Sequence, residues 1–151
     1  MALSGKRVAR IEIKSKGDVY HELWNSNPHH IANISPNLVQ NCKTHDGQNG
    51  TVGCVLHWDY FLDGKEQVGK TLILEIDEEK KLTKWKIIEG DLLKLYKNFF
   101  IYLHVDTKGI KHVVTWTVEY EKLSADVPDP DSLMELYTNL TKDAETHHLK
   151  D

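Results

Sequence analysis

Four sets of residues in this 151-residue chain have types and spacings that chemistry uses. Nine histidines, with adjacent pairs at His29-His30 and His147-His148, raise the question of a metal. Side chains of adjacent residues diverge, and neither an HExxH string nor cysteine-rich spacing occurs, so rim or surface histidines are expected and no metal site. The stretch 46–53 is glycine-rich, but it lacks the Gly-Lys-Ser/Thr ending of a phosphate cradle. Strand-like sequence flanks it on both sides, so no helix N-terminus would point its amides at a phosphate, and a structural loop is expected. Lys70 shares its parity with Leu72 and Leu74. Facing inward, a desolvated lysine would have a lowered pKa and could act as a base; a solvated lysine near a strand end is the plainer reading. Trp58, Tyr60, Trp85 and Tyr137 either pack a core or line a space, and rings carrying one hydrogen-bonding group suit an apolar ligand with a few hydroxyls. No catalytic set stands out.

Those residues need elements to hold them. The stretch 6–15 alternates Ala9, Ile11 and Ile13 against Arg10, Glu12 and Lys14, as a half-buried strand does. Val19, Tyr20, Leu23 and Trp24 fall at helical spacing before the stop at Asn25-Ser26-Asn27-Pro28, and 29–34 reads as a second brief helical turn closed by Ser35-Pro36. Strands are then expected over 38–45, 54–62, 67–77, 82–89, 98–106 and 111–121. The breaks between them are the loop 46–53, the hairpin signal Asp63-Gly64, the charged turn 77–81, a loop or helical turn over 90–97, and Thr107-Lys108-Gly109. In 98–106, Phe99, Ile101 and Leu103 form the more apolar face and are read as inward, against Phe100, Tyr102 and His104. Short turns between consecutive strands imply antiparallel pairing.

A long helix closes the chain over 129–150. Pro130 suits its first position, with Asp129 as cap. Leu133, Leu136, Tyr137, Leu140, Ala144 and His147 recur on one face, while Glu135, Asn139, Lys142, Asp143 and Lys150 take the other. The fold class is therefore α+β, a seven-stranded antiparallel sheet around a C-terminal helix with two short helices after strand 1. Leu56, Trp58, Tyr60, Leu72, Leu74, Trp85, Ile87, Trp116 and Val118 should face Leu133, Leu136, Tyr137 and Leu140, with Leu23 and Ile31 closing one end.

Length and composition bound the rest. One domain, 1–151, is expected, with roughly two-thirds of the unfolded surface buried. A net charge of −4 leaves no polybasic footprint, so neither nucleic acid nor membrane insertion is expected. Cys42 and Cys54 are too few for a disulfide framework and read as reduced thiols. Residues 1–14 hold no apolar run of signal-peptide length, nor is there a membrane-spanning stretch, so a cytoplasmic location is expected. The three Asn-x-Ser/Thr patterns, at Asn33, Asn49 and Asn139, would then never meet the glycosylation machinery.

The order of elements resembles the birch-pollen-allergen (Bet v 1) superfamily of plant proteins. Within it, Gly17-Asp18-Val19-Tyr20-His21-Glu22-Leu23, Pro28-His29-His30, Ile76-Asp77-Glu78-Glu79, Ile88-Glu89-Gly90-Asp91-Leu92, Val105-Asp106-Thr107-Lys108-Gly109, the stretch 115–122 and His147-His148-Leu149 are similar to the major latex protein-like branch. The resemblance covers essentially the whole chain. It implies a helix-grip fold with a large cavity for apolar or amphipathic small molecules, in a plant defence or stress setting. Neither the Ser-Gly-Leu-Pro-Ala gate nor the His-Arg-Leu latch of the hormone-receptor branch occurs, and 113–120 has no lysine where the alkaloid-condensing branch carries one. The expected function is carriage of steroids, lipids, hormones, flavonoids or other specialised metabolites, without cofactor or catalytic residues, by a monomer or weak homodimer. Expected ligand-binding residues are Leu23, His30, Ile31, Leu56, Trp58, Tyr60, Leu72, Trp85, Ile87, Ile101, Trp116, Leu133, Leu136, Tyr137 and Leu140. The alternative is an isomerase or cyclase of alkaloid or terpenoid metabolism using Lys70, His30, Tyr60 or Tyr137; a protein-interaction module in stress signalling is a third reading.

Overall fold

Segments that alternate apolar and polar residues can each hide one face only by pairing edge to edge, and here they build a single sheet. The structure, a computed structural model, describes residues 3–14, 21, 23–24, 28–108 and 111–150, with backbone only at 107, 108, 111 and 147–150. In chain order the elements are β1 (Ser4–Ile13), a short helix (His30–Ile34), β2 (Val39–Asp46), β3 (Val55–Leu62), β4 (Lys65–Asp77) and β5 (Leu82–Gly90). A 3-10 turn (Asp91–Lys94), β6 (Tyr96–Lys108), β7 (Lys111–Lys122) and the C-terminal helix (Asp131–Lys150) complete them. Every neighbouring pair is antiparallel in the order β1-β7-β6-β5-β4-β3-β2, with Ser4 opposite Glu121 across the β1–β7 seam. The seven-stranded antiparallel sheet, the C-terminal helix and a short helix after strand 1 are as the sequence implies. Of the expected first short helix, His21, Leu23 and Trp24 are helical; Val19 and Tyr20, like Gly109 of the last turn, lie outside the described residues, and so does the His147 side chain.

Local chemistry explains the corners. Asp63 and Gly64 take φ of 53° and 75°, the two left-handed positions of a tight primed hairpin turn. At the end of β5, Gly90 has φ 122°, and a Cβ there would sit 2.3 Å from the carbonyl oxygen of Val68. Only glycine lets β5 cross so close to β4. Asp91 then accepts the Val68 N–H at 2.8 Å, which fixes the 3-10 turn and turns Leu92 into the core.

Phe99, Ile101 and Leu103 of β6, and Val114, Trp116, Val118 and Tyr120 of β7, are buried as their alternation implies. On the C-terminal helix Leu133, Leu136, Tyr137, Leu140 and Ala144 are buried too, joined by Met134 and Thr141. One expectation is overturned in β4. Directly opposed residues share a face, and buried Leu56 opposes Thr71 while buried Trp85 opposes Ile73. The inward set is therefore Gly69, Thr71 and Ile73, and Lys70, Leu72 and Leu74 point to the outer face. Register slips between Lys70 and Thr71 and between Ile73 and Glu75 mark bulges in this strand pair.

The helix start also differs by one residue. Met134 N–H bonds to the Pro130 carbonyl at 3.2 Å, so proline holds the cap position rather than the first turn. The Asp129 carboxylate does not cap: it takes the Tyr120 hydroxyl at 2.7 Å, Arg7 at 2.8 Å and Lys122 at 3.0 Å. It ties β1, β7 and the helix entry together instead.

Candidate functional site

The inner sheet face and the helix do not close completely. Between them lies an apolar cavity of about 70 Å³. β3 supplies Trp58 and Tyr60 to its wall, β5 Trp85 and Ile87, β6 Ile101 and β7 Trp116; the helix supplies Leu133, Leu136, Tyr137 and Leu140. All of these are among the expected ligand-binding residues. Leu23, Ile31 and Leu56 are buried in the core without lining the space. His30 is exposed, its ring 4.4 Å from that of His29, because the short helix turns that face to solvent. Leu72, half-buried, is carried away by the β4 register.

The wall also holds Trp24, Val39, Gly69, Thr71 and Leu92, which sequence reasoning passed over. Two of these had a signal. Trp24 is an apolar residue at helical spacing, and Thr71 is the cross-strand partner of Leu56 once the hairpin at Asp63-Gly64 is counted out residue by residue.

Stacking fixes the wall. Trp116 lies on Tyr137 at 4.5 Å with 8° between planes, and Trp85 lies near-parallel to Trp116 at 6.3 Å. Such contacts add to the burial of the rings and lock their orientation. Trp116 Nε1 donates to Thr141 Oγ1 at 2.9 Å, and that hydroxyl donates in turn to the Tyr137 carbonyl at 2.8 Å. Trp58 Nε1 donates to Thr71 Oγ1 at 3.0 Å. Trp24 Nε1 is buried and has no partner among the described residues.

The electrostatics favour neutral groups. Burial pushes the phenols of Tyr60 and Tyr137 far above their ordinary value, so both stay protonated hydroxyls. Lys70 touches the cavity rim, yet its ammonium pairs with Glu89 at 2.8 Å, and that hydrogen bond holds the Glu89 carboxyl below its usual value. Among the described residues no group of histidine, cysteine or acidic side chains could hold a metal ion.

Size sets a limit. A cavity of about 150 Å³ can take up a benzene ring, and this one has about half of that volume. The large cavity that the resemblance implies is here mostly filled, chiefly by tryptophan. A second, outer groove of about 540 Å³ runs between residues 36–40, the β3–β4 hairpin and the first turns of the helix. Leu136 lines both the groove and the cavity, so its side chain is the partition between them.

The model of the pathogenesis-related protein Bet v 1 family matches residues 2–151. The chain is 37% identical over 150 residues to MLP-like protein 28 of Arabidopsis thaliana, covering 98% of this chain and 45% of that one. It thus spans less than half the length of that relative. The crystal structure of ginseng major latex-like protein 151 from Panax ginseng superposes with a TM-score of 0.96 at 44% identity, covering 98% of this chain and 99% of that one. Norcoclaurine synthase from Thalictrum flavum, at 18% identity and a TM-score of 0.73 over 95% of this chain and 88% of that one, shares the fold. No helix among the described residues is long and apolar enough to cross a membrane.

Proposed function

Because this chain belongs to the pathogenesis-related protein Bet v 1 family, we propose that it binds and carries small hydrophobic or amphipathic molecules in its internal cavity. Steroids, lipids, hormones, flavonoids and other specialised metabolites of a plant under attack or stress are the cargo class. The observation that carries the reading is the composition of the cavity wall: aromatic and aliphatic side chains from β3, β5, β6, β7 and one face of the C-terminal helix converge on a single space. Burial of apolar ligand surface is what such a wall rewards. Tyr60, Tyr137 and Thr71 supply the few polar groups that orient a ligand. The whole chain acts as one binding domain, in the cytoplasm, as a monomer or weak homodimer.

The catalytic alternative draws on the fold shared with norcoclaurine synthase. It has less support, because His30 is exposed and the Lys70 ammonium is bonded outward to Glu89. Titration with a fluorescent apolar probe, followed by displacement with steroids, fatty acids and flavonoids, tests the carrier reading. Saturable binding with displacement is expected; a protein that takes up none of these molecules would refute it.

A further inference from the structure

All four tryptophans of the chain gather at the cavity, and one differs from the other three. Trp58, Trp85 and Trp116 stand on β3, β5 and β7. Trp24 comes from the helical piece that also holds His21 and Leu23, and it is inserted among them. Its ring lies 4.8 Å from Trp116 at 80°, 6.0 Å from Trp58 and 6.4 Å from Trp85. Where Trp58 and Trp116 have threonine acceptors for their N–H groups, the buried Nε1 of Trp24 has none among the described residues. Burying a donor without a partner carries a penalty that native cores avoid almost everywhere.

We propose that Trp24 is a displaceable plug: its indole occupies the ring slot of the cavity, and the ligand, a neutral planar molecule of fused apolar rings, binds by taking that place. The proposal rests on the carrier reading and adds to it a class of ligand and the residue that selects it.

Three observations converge on this. The residual space of about 70 Å³ is about half of a cavity known to take one benzene ring, so the departure of Trp24 would make the room that fused rings need. Among the lining aromatics, Trp24 is the one not held in a strand or in the long helix. Its departure also has a return that the departure of Trp58 or Trp116 would lack. The freed N–H meets water, while the incoming rings inherit the edge contacts with Trp116 and Trp85 and the tilted contact with Trp58. In the same helical piece His21 is buried, and its Nε2 lies 3.0 Å from the Glu78 carboxylate.

The preference for neutral ligands follows from the surroundings. The phenols of Tyr60 and Tyr137 are both held neutral by burial, and the charges of Lys70 and Glu89 are turned toward each other. The preference for flat rings follows from the near-parallel planes of Trp85, Trp116 and Tyr137.

A plug taxes affinity by the fraction of molecules that are open. For an open state of about 0.1–10%, removing the plug tightens binding about tenfold or more. The test uses naphthalene on the whole chain, comparing the native protein with Trp24→Ala and Trp24→Phe. Affinity is read by titration, and solvent exchange of each indole N–H by nuclear magnetic resonance, with the Trp24 signal identified by its loss in Trp24→Phe. The expected result is naphthalene binding at least about tenfold tighter in Trp24→Ala. In the native protein, saturation should expose the Trp24 N–H to water while those of Trp58 and Trp116 stay protected. Native binding with the Trp24 N–H still protected, or equal affinity in Trp24→Ala, overturns the plug and leaves the carrier reading standing. Failure of naphthalene to bind any of the three proteins overturns both. If Trp24→Ala does not fold, the exchange measurement on the native protein decides alone.

Discussion

Replacing Thr141 by valine should measure what fastens the helix to the sheet. Thr141 is wholly buried, and its hydroxyl is the acceptor for Trp116 Nε1 at 2.9 Å. Valine keeps the branched shape but leaves the indole N–H buried without a partner. Losing the donation to the Tyr137 carbonyl matters less, because that oxygen sits inside a helix and keeps its backbone position. The orphaned donor costs about 1–3 kcal/mol. For a domain of this length, each kcal/mol moves the melting temperature by roughly 2–4 °C, so a fall of about 2–12 °C is expected. Urea unfolding followed by circular dichroism gives the energy and calorimetry the midpoint. The discriminating step is a cycle with Trp116→Phe, which removes the donor as well as the indole. In that background Thr141→Val should cost little, giving a coupling of about 0.5–3 kcal/mol. Equal costs in both backgrounds, to within about 0.5 kcal/mol, would refute the hydrogen bond as the reason for threonine.

Three further outcomes follow from the same geometry. Leu136→Lys should fold, because the lysine stem can lie along the partition while its ammonium reaches the outer groove, and it should abolish probe binding in a fluorescence titration; retained binding would make the helix a packing element only. Lys70→Met should leave probe affinity unchanged, since the ammonium is engaged with Glu89 rather than with the cavity; a severalfold loss by titration would place the charge at the ligand. Asp129 is held below its ordinary 3.8 first by the Tyr120 hydroxyl, then by Lys122, with Arg7 nearby. A carboxyl depressed in the folded state adds stability above its unfolded pKa and loses it as pH falls through the folded one. Melting curves below about pH 4 should therefore drop more steeply for the native protein than for Asp129→Asn.

Most of this architecture was legible because each strand carries its own alternation, and β6 shows why that suffices. Ile101 opposes Val118, and Leu103 opposes Trp116, so the two apolar patterns had one register in which both could be buried. β4 resisted for a physical reason. It presents apolar residues at both parities, Leu72 and Leu74 against Ile73, while its inward positions include Gly69 and Thr71. Composition favoured the parity of Leu72 and Leu74 as the inward one, and only pairing with β3 and β5 decides the face. Asp129 misled differently: its sequence position suits a cap, but Arg7 and Lys122 approach from distant strands and claim the carboxylate. The cavity wall was legible wherever it follows strand or helix periodicity. For Trp24 the helical spacing showed an apolar position but not its place in the wall, which depends on contacts with tryptophans of three different strands.

The seam between β1 and β7 bears on how the chain is made. Ser4 finds its partner only at Glu121. At about 5–20 residues per second of synthesis, β1 waits several seconds for the strand that covers it. Until then β6 also lacks its outer neighbour, and the Asp129 cluster that joins β1 to the helix entry cannot exist. The sheet closes at β1 only once β7 is made, so loss of β7 strips β1 of its one partner and turns β6 into a new edge strand.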